Sequence, residues 1–482
     1  MTILKPPCKV KLENFTSDIE KDLTVTISDY MEGDEEFYHF YHILGNEVIL
    51  PKYYPVKDAT RTLFTVEEST DINKIKPTKI DITDTIKLRS ESQEAAVKYL
   101  VTNDHGILKA KPGFGKTIVS IKSISEMKYK TLIVVKRKVH ATQWMDKFIE
   151  FTNIKLEDIG IGQIPLSELK DKKIVIMTVN RIYNMVINND IEGLNQLNDC
   201  NFGITFWDEC QSSATAKHFS KACLCVNSHK VFGLSATPKN EYTMKNISRW
   251  ILGDTFEPKD EFNYKPAVYT ISWQSKMDAG KHKWISYGDK FQKTRYCKQI
   301  SKHEEYYQIW SRKLRLAMDK RTILCLADRY EIVEKLIEVM KKIDKETGLN
   351  EFGKKKHLLF RASSLMKSKD KDDVKISDLS ELGNYDIIFT TYQMFSDAMD
   401  VPGLDCLFML TPNNNVEQTI GRIIRTKNEK KQPIVIDMVD TDFSDLTELF
   451  EHRLRNYNKF GWEHKFVNND SDNKTIATRG VV

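Results

Sequence analysis

From residue 88 to about 255, short, mostly apolar runs alternate with stretches of helical periodicity. The runs are Ile107-Leu108, Leu132 to Val135, Ile174 to Met177, Ile204 to Trp207 and Val231 to Leu234. Continuous apolar strands separated by helices predict a parallel sheet covered on both faces. The same layout resumes with Thr322 to Leu326, His357 to Phe360, Ile387 to Thr391, Cys406 to Leu410 and Ile434 to Ile436. Before residue 86 the period is shorter: Leu23-Thr24-Val25-Thr26-Ile27 alternates, and Phe37 to Tyr41 and Val48 to Pro55 are rich in aromatic, branched and turn-forming residues. That is a strand signature. The expectation is an α/β chain of two tandem parallel-sheet domains preceded by a small β-rich domain. Its boundaries are set at 1–86, 87–258, 259–318 as a connecting segment, 319–465, and a disordered tail at 466–482. The N-terminal domain reads equally as a packing platform or a DNA-docking module.

The 259–318 segment interleaves Lys290, Lys293, Arg295 and other cations with Trp273, Trp284, Tyr287, Phe291 and Tyr296. A solvated basic face is one reading. The other is a nucleic-acid contact, with cations on phosphates and rings on bases.

Length and composition limit the classes without choosing among them. The 482 residues suggest about three domains, and 40% hydrophobic with 29% charged residues is an ordinary globular composition. A net charge of +5 permits a nucleic-acid partner without requiring one. The eight cysteines include no C-x-x-C pair, which favours reduced thiols in a cytoplasmic protein over a metal site. No signal peptide or membrane span is visible in the sequence.

Ala110-Lys111-Pro112-Gly113-Phe114-Gly115-Lys116-Thr117 lies between an expected strand and an expected helix. A glycine-bearing turn leading into a helix N-terminus can close backbone N–H groups around phosphates. Lys116 can then reach the outer phosphates and Thr117 can ligate Mg²⁺. The loop opens with Ala110 where glycine is usual. About ninety residues on, Asp208-Glu209-Cys210-Gln211 follows an expected strand. Asp208 is placed to hold Mg²⁺ and Glu209 to deprotonate a water. Ser235-Ala236-Thr237-Pro238 reads either as a hydroxyl-bearing relay or as a turn closing its strand. Thr178, Thr390 and Thr391, at strand ends, are candidate nucleic-acid contacts. Arg422 and Arg425 share a helix face in a domain with no phosphate loop of its own, which suits an arginine finger.

This ordered set, from Arg89 to Arg425, resembles superfamily 2 helicases. By that resemblance Ala110–Thr117 stands for motif I, Asp208–Gln211 for motif II, Ser235–Thr237 for motif III and Gln418–Arg425 for motif VI. The resemblance implies an adenine contact for Gln93, though its spacing from Arg89 is looser than usual. It implies a ribose contact for Asp400 in Phe395–Pro402, where Ala398 replaces a common glycine. Gln418, with Arg422 and Arg425, joins the catalytic set. The small N-terminal domain and compact size are most similar to phage branch-migration helicases of the UvsW kind. The implied activity is an ATP- and Mg²⁺-dependent DNA helicase acting as a monomer on forked, branched or single-stranded DNA, in the host cytoplasm if phage-encoded. An RNA helicase, a translocase that does not separate strands, and an ATP-gated binding switch remain as alternatives.

Overall fold

The computed structural model describes residues 9–28, 35–54, 76–111, 113–216, 218–236, 242–259, 265–277, 283–287, 290–361, 379–398, 403–413, 416–421 and 431–467. The chain divides into two compact units between Asp260 and Glu261.

The first unit begins with β1 (Lys9–Lys11), β2 (Thr24–Ser28), β3 (Glu35–His39), β4 (His42–Leu44) and β5 (Glu47–Ile49). The strands β1, β5 and β4 form an antiparallel sheet, and β2 pairs with β3 as a ladder of its own. This β-rich piece does not stand apart. Val25, Phe40 and Ile49 share one apolar cluster with Trp207 and Leu252 of the following domain. Tyr53 stacks on His105 at 3.8 Å, and Tyr54 meets Trp250 edge-on at 5.1 Å. Burying these rings fits the packing-platform reading of this piece, while Phe37 is exposed.

Next come β6 (His105–Lys109), β7 (Thr131–Val135), β8 (Ile159–Ile161), β9 (Ile174–Thr178), β10 (Ile204–Asp208), β11 (Lys230–Ser235) and β12 (Thr255–Phe256). They make a seven-stranded sheet in the order β12-β6-β11-β10-β7-β9-β8, and every pairing in it is parallel. All five residues of β7 are buried, as a strand covered on both faces requires.

The second unit holds β13 (Ala267–Trp273), β14 (Ser286–Tyr287), β15 (Lys290–Phe291), β16 (Ile323–Ala327), β17 (His357–Leu359), β18 (Ile387–Thr391), β19 (Cys406–Met409), β20 (Ile434–Asp440) and β21 (Glu463–Val467). Seven of these form a second all-parallel sheet in the order β17-β18-β16-β19-β20-β13-β21.

Here the structure corrects the connecting segment expected at 259–318. Strand β13 lies between β20 and β21, inside the second sheet. The helix Glu304–Met318 buries Tyr306, Trp310 and Leu314 in that unit's core. The interleaving of basic and aromatic residues is amphipathic packing: on the helix Lys293–Ile300, Tyr296, Cys297 and Ile300 are buried, Lys293 and Arg295 are half-buried and Lys298 is exposed. Trp273 is buried on β13. No helix among the described residues is long and apolar enough to cross a membrane.

Candidate functional site

Three chain segments meet at the carboxyl edge of the first sheet because their strands are neighbours in the order β6-β11-β10. Lys109 pairs with Ser235 and Asp208 with Leu234, so the loops leave the sheet at one level. The carboxyl edge of a parallel sheet is where ligands bind.

The loop after β6 is anchored at its base by the Ala110 N–H, which donates to the Ser235 carbonyl at 2.9 Å. Gly113 and Gly115 have φ of 85° and 91°, a left-handed conformation open to glycine and costly for other residues. A Cβ on Gly115 would also lie 2.8 Å from Gln93 Nε2. The helix Lys116–Met127 starts at once after Gly115, leaving its first amide N–H groups without intrahelical partners. Lys116 Nζ donates to the Ala110 carbonyl at 3.0 Å, a neutral partner that a phosphate oxygen would outcompete. Pro112 lies outside the described residues.

Gln93 is set in the first turn of the helix Glu91–Thr102 by Ser90, whose hydroxyl accepts the Gln93 N–H. It is buried, accepts the Arg89 N–H at 2.7 Å and donates to the Phe114 carbonyl. Arg89 Nη2 donates to the Gly113 carbonyl at 3.1 Å. The Gln93 amide thus braces the glycine loop, a task beyond the base contact expected for it.

At the end of β10, Asp208 Oδ2 accepts the Trp144 indole N–H at 2.9 Å and Oδ1 accepts the Glu209 N–H at 3.1 Å. Glu209 has φ 46° and ψ 56°, a left-handed backbone that costs a non-glycine residue about 1–2 kcal/mol. Its Oε2 accepts the Gln211 side-chain N–H at 2.7 Å. The turn is held by Ser213, whose hydroxyl donates to the Asp208 carbonyl at 2.9 Å, and by Cys210 packed on Gly233. A Cβ at Gly233 would sit 2.9 Å from the Cys210 sulfur. Burial and then the neighbouring Glu209 charge push the Asp208 carboxyl up to about 6, against the pull of Trp144 and the positive charge of Lys116. Among the described residues no three His, Cys, Asp or Glu side chains cluster as metal ligands. Asp208 ends β10 and Thr117 stands in the first turn of the helix after the glycine loop; a carboxylate and a hydroxyl are oxygen donors of the kind that suit Mg²⁺ shared with substrate phosphates.

The other candidates fall differently. Thr178 ends β9, half-buried. Thr390 is fully buried and its hydroxyl donates to the Phe360 carbonyl at 2.9 Å, so it has no face for a phosphate. Thr391 Oγ1 accepts the Met394 N–H at 3.2 Å and starts the next helix. Lys293 pairs with Asp328 at 2.9 Å, and Arg295 donates to the Trp284 carbonyl at 3.1 Å. Two of the three expected nucleic-acid cations, Lys293 and Arg295, are therefore engaged inside their own unit. Lys290 lies on β15 and Gln418 on the helix Val416–Gly421, with their side chains outside the description. Asp400, Arg422 and Arg425 also lie outside the described residues, as do Thr237 and Pro238. The residue that sequence reasoning missed is Trp144, which looks like any apolar residue of the amphipathic helix Lys138–Phe151.

Comparison with known proteins agrees with this geometry. Residues 85–240 match the family described as type III restriction enzyme, res subunit. A protein of Acanthamoeba polyphaga mimivirus, named as an ATP-dependent RNA helicase, is 26% identical over 470 residues, covering 93% of this chain and 82% of its own. The DNA 3'-5' translocase XPB2 of Sulfurisphaera tokodaii is 24% identical over 404 residues, covering 76% of this chain and 84% of its own. Among solved structures, S. cerevisiae Dbp5 bound to RNA and ADP BeF3 superimposes with a TM-score of 0.54 at 12% identity, over 81% of this chain and 94% of Dbp5.

Tandem parallel-sheet units with these relatives define an ATP-hydrolysing helicase. The chain resembles superfamily 2 helicases, and these relatives are named as helicases and a DNA translocase.

Proposed function

We propose that this chain is an ATP-dependent DNA motor that unwinds or branch-migrates forked and junction DNA. The observation that carries the motor reading is that the segments bearing Lys116, Thr117, Asp208 and Glu209 leave neighbouring strands at one sheet edge, in a chain whose sequence carries a single phosphate-loop motif. Lys116 exchanges the Ala110 carbonyl for the outer phosphates, and the Gly113–Gly115 backbone cradles them. Asp208 and Thr117 hold Mg²⁺, which when bound neutralises phosphate charge. Glu209 accepts the proton of the attacking water while Gln211 steadies its carboxylate. The resemblance assigns Gln418, Arg422 and Arg425 to the phosphates and Asp400 to the ribose, with ATP turnover driving movement along the strand.

The DNA preference rests on the similarity to a DNA translocase. The β-rich N-terminal piece is a brace more than a DNA clamp: residues 9–54 hold four lysines against ten acidic residues, a balance that repels phosphate. A second reading, an RNA helicase, is favoured by the names of the mimivirus protein and Dbp5. ATPase stimulation and strand displacement on forked DNA, a four-way junction, blunt duplex DNA and an RNA duplex decide between them. Forked or junction DNA giving the largest stimulation with displacement is the expected result. Stronger displacement of RNA overturns the DNA assignment. ATP-dependent binding without displacement of any substrate leaves a non-separating translocase or a switch.

A further inference from the structure

Asp208 is held by an unusual donor. Trp144 projects from the helix Lys138–Phe151, is 2% exposed, and packs near Phe148 with ring centroids 6.2 Å apart. Its indole N–H reaches Asp208 Oδ2 at 2.9 Å while the Glu209 N–H reaches Oδ1 at 3.1 Å. Each carboxylate oxygen therefore has one donor from this chain, which fixes the plane of the group and leaves each oxygen acceptor capacity for a metal or its water. The two donors come from different elements, one 64 positions away in sequence and one adjacent, so neither can rotate the carboxylate without losing the other.

The chemistry of the donor matters. An indole N–H is neutral and can only donate. A lysine or arginine in that place would orient the carboxylate but also cancel its charge, lowering its attraction for a cation. A serine or histidine could itself offer a lone pair and compete as a ligand. Indole alone among these orients without neutralising or competing. The plain alternative is that a buried tryptophan merely needed somewhere to put its N–H.

We propose that Trp144 is a positioning residue for the Asp208 carboxylate, aiming it at the metal-bearing phosphates. This rests on the reading of Asp208 as the acid that holds Mg²⁺. Outer partners of metal ligands typically carry about a 10- to 100-fold effect on metal affinity when removed.

The test separates the N–H from the ring. Replacing Trp144 by benzothienylalanine, in which sulfur stands for the indole N–H, keeps the bulk and removes the donor; Trp144→Phe removes the donor and part of the bulk. Binding of a fluorescent ADP analogue to the full chain is followed while MgCl₂ is titrated, and again in EDTA. The expected result is a rise of about tenfold in half-saturating Mg²⁺ for the benzothienyl protein, with nucleotide binding in EDTA and the melting temperature unchanged. Turnover recovers towards wild type at high Mg²⁺. An unchanged Mg²⁺ dependence in the benzothienyl protein overturns the proposal, even if Trp144→Phe is impaired, because packing alone would then account for the residue. If wild-type binding itself shows no Mg²⁺ dependence, the metal reading of Asp208 fails, and this inference fails with it.

Discussion

At the carboxyl edge of the first sheet, Lys116 leans on a backbone carbonyl and Asp208 takes two neutral N–H donors. In the second unit the charges are settled among themselves. Arg453 meets Asp437 through Nε at 2.9 Å and Nη2 at 3.2 Å, both side chains are fully buried, and Tyr457 donates to the same carboxylate at 3.0 Å. Lys293 is paired with Asp328 and Arg315 with Asp344. Stability asks each buried charge to find its opposite. A site that must capture a metal gains from a carboxylate whose charge is only partly offset, as the raised Asp208 is. The first sheet's edge accordingly carries a carboxyl pushed up to about 6 and a glutamate in left-handed backbone, and both are costs that a ligand relieves.

The largest effect is expected where a settled pair is broken. Arg453→Met leaves the Asp437 charge buried alone and should cost about 3–5 kcal/mol, read by urea denaturation. Adding Asp437→Leu should recover most of it; a double variant no better than the single would mean the pair does not neutralise itself. Next is Lys116→Ala, expected to lower ATP turnover by about 10²–10³-fold while nucleic-acid binding and melting temperature hold. A large loss of stability instead would move Lys116 into the settled class.

Lys52 sharpens the comparison from within the first unit. Its ammonium donates to the Ser228 carbonyl at 3.2 Å, and burial pulls it from 10.5 down to about 8, against the pull of Cys223 and Asp104. A depressed lysine means that the unfolded chain binds the proton between pH 8 and 10.5 and the folded chain does not, so its destabilising effect fades as pH rises across that window. Lys52→Met should therefore stabilise by about 1–2 kcal/mol at pH 7, with the gain shrinking towards pH 10. A gain independent of pH would point to packing. The smallest effect belongs to Lys293 and Arg295. Since both are engaged inside their unit, replacing them with alanine should change the salt slope of DNA binding by less than about one unit. A drop of about two units would restore them as phosphate contacts.

The same contrast explains what could be read from the sequence. The parallel sheets were legible because a strand covered on both faces is largely apolar, as β7 is over Leu132–Val135 and β18 over Ile387–Phe389. The phosphate loop and the acid pair were legible because each is local: Gly113, Gly115 and Lys116 are close in sequence, and Asp208 adjoins Glu209. Long-range partners were not. Nothing near Lys293 announces Asp328, and Thr390 looks like Thr178 until Phe360 is seen beside it. Strand β13 was hidden because the lysines that follow it drew its segment into a basic surface, although Ala267 to Trp273 is itself a run of strand formers. Trp144 was invisible because its helix pattern records only that the ring is buried, and its function lies in one N–H.

The central claim is that the first sheet's edge gives up stability to keep its charges available. It is tested most directly by comparing the pH dependence of thermal unfolding for the ligand-free wild type and Asp208→Asn, with ATPase measured beside it. A carboxyl raised from 3.8 to about 6 holds its proton more readily in the folded chain, so wild-type stability should rise by about 1–3 kcal/mol relative to the variant as pH falls from 7 to 4, while the variant loses ATP turnover. A stability difference that does not change with pH would contradict the account.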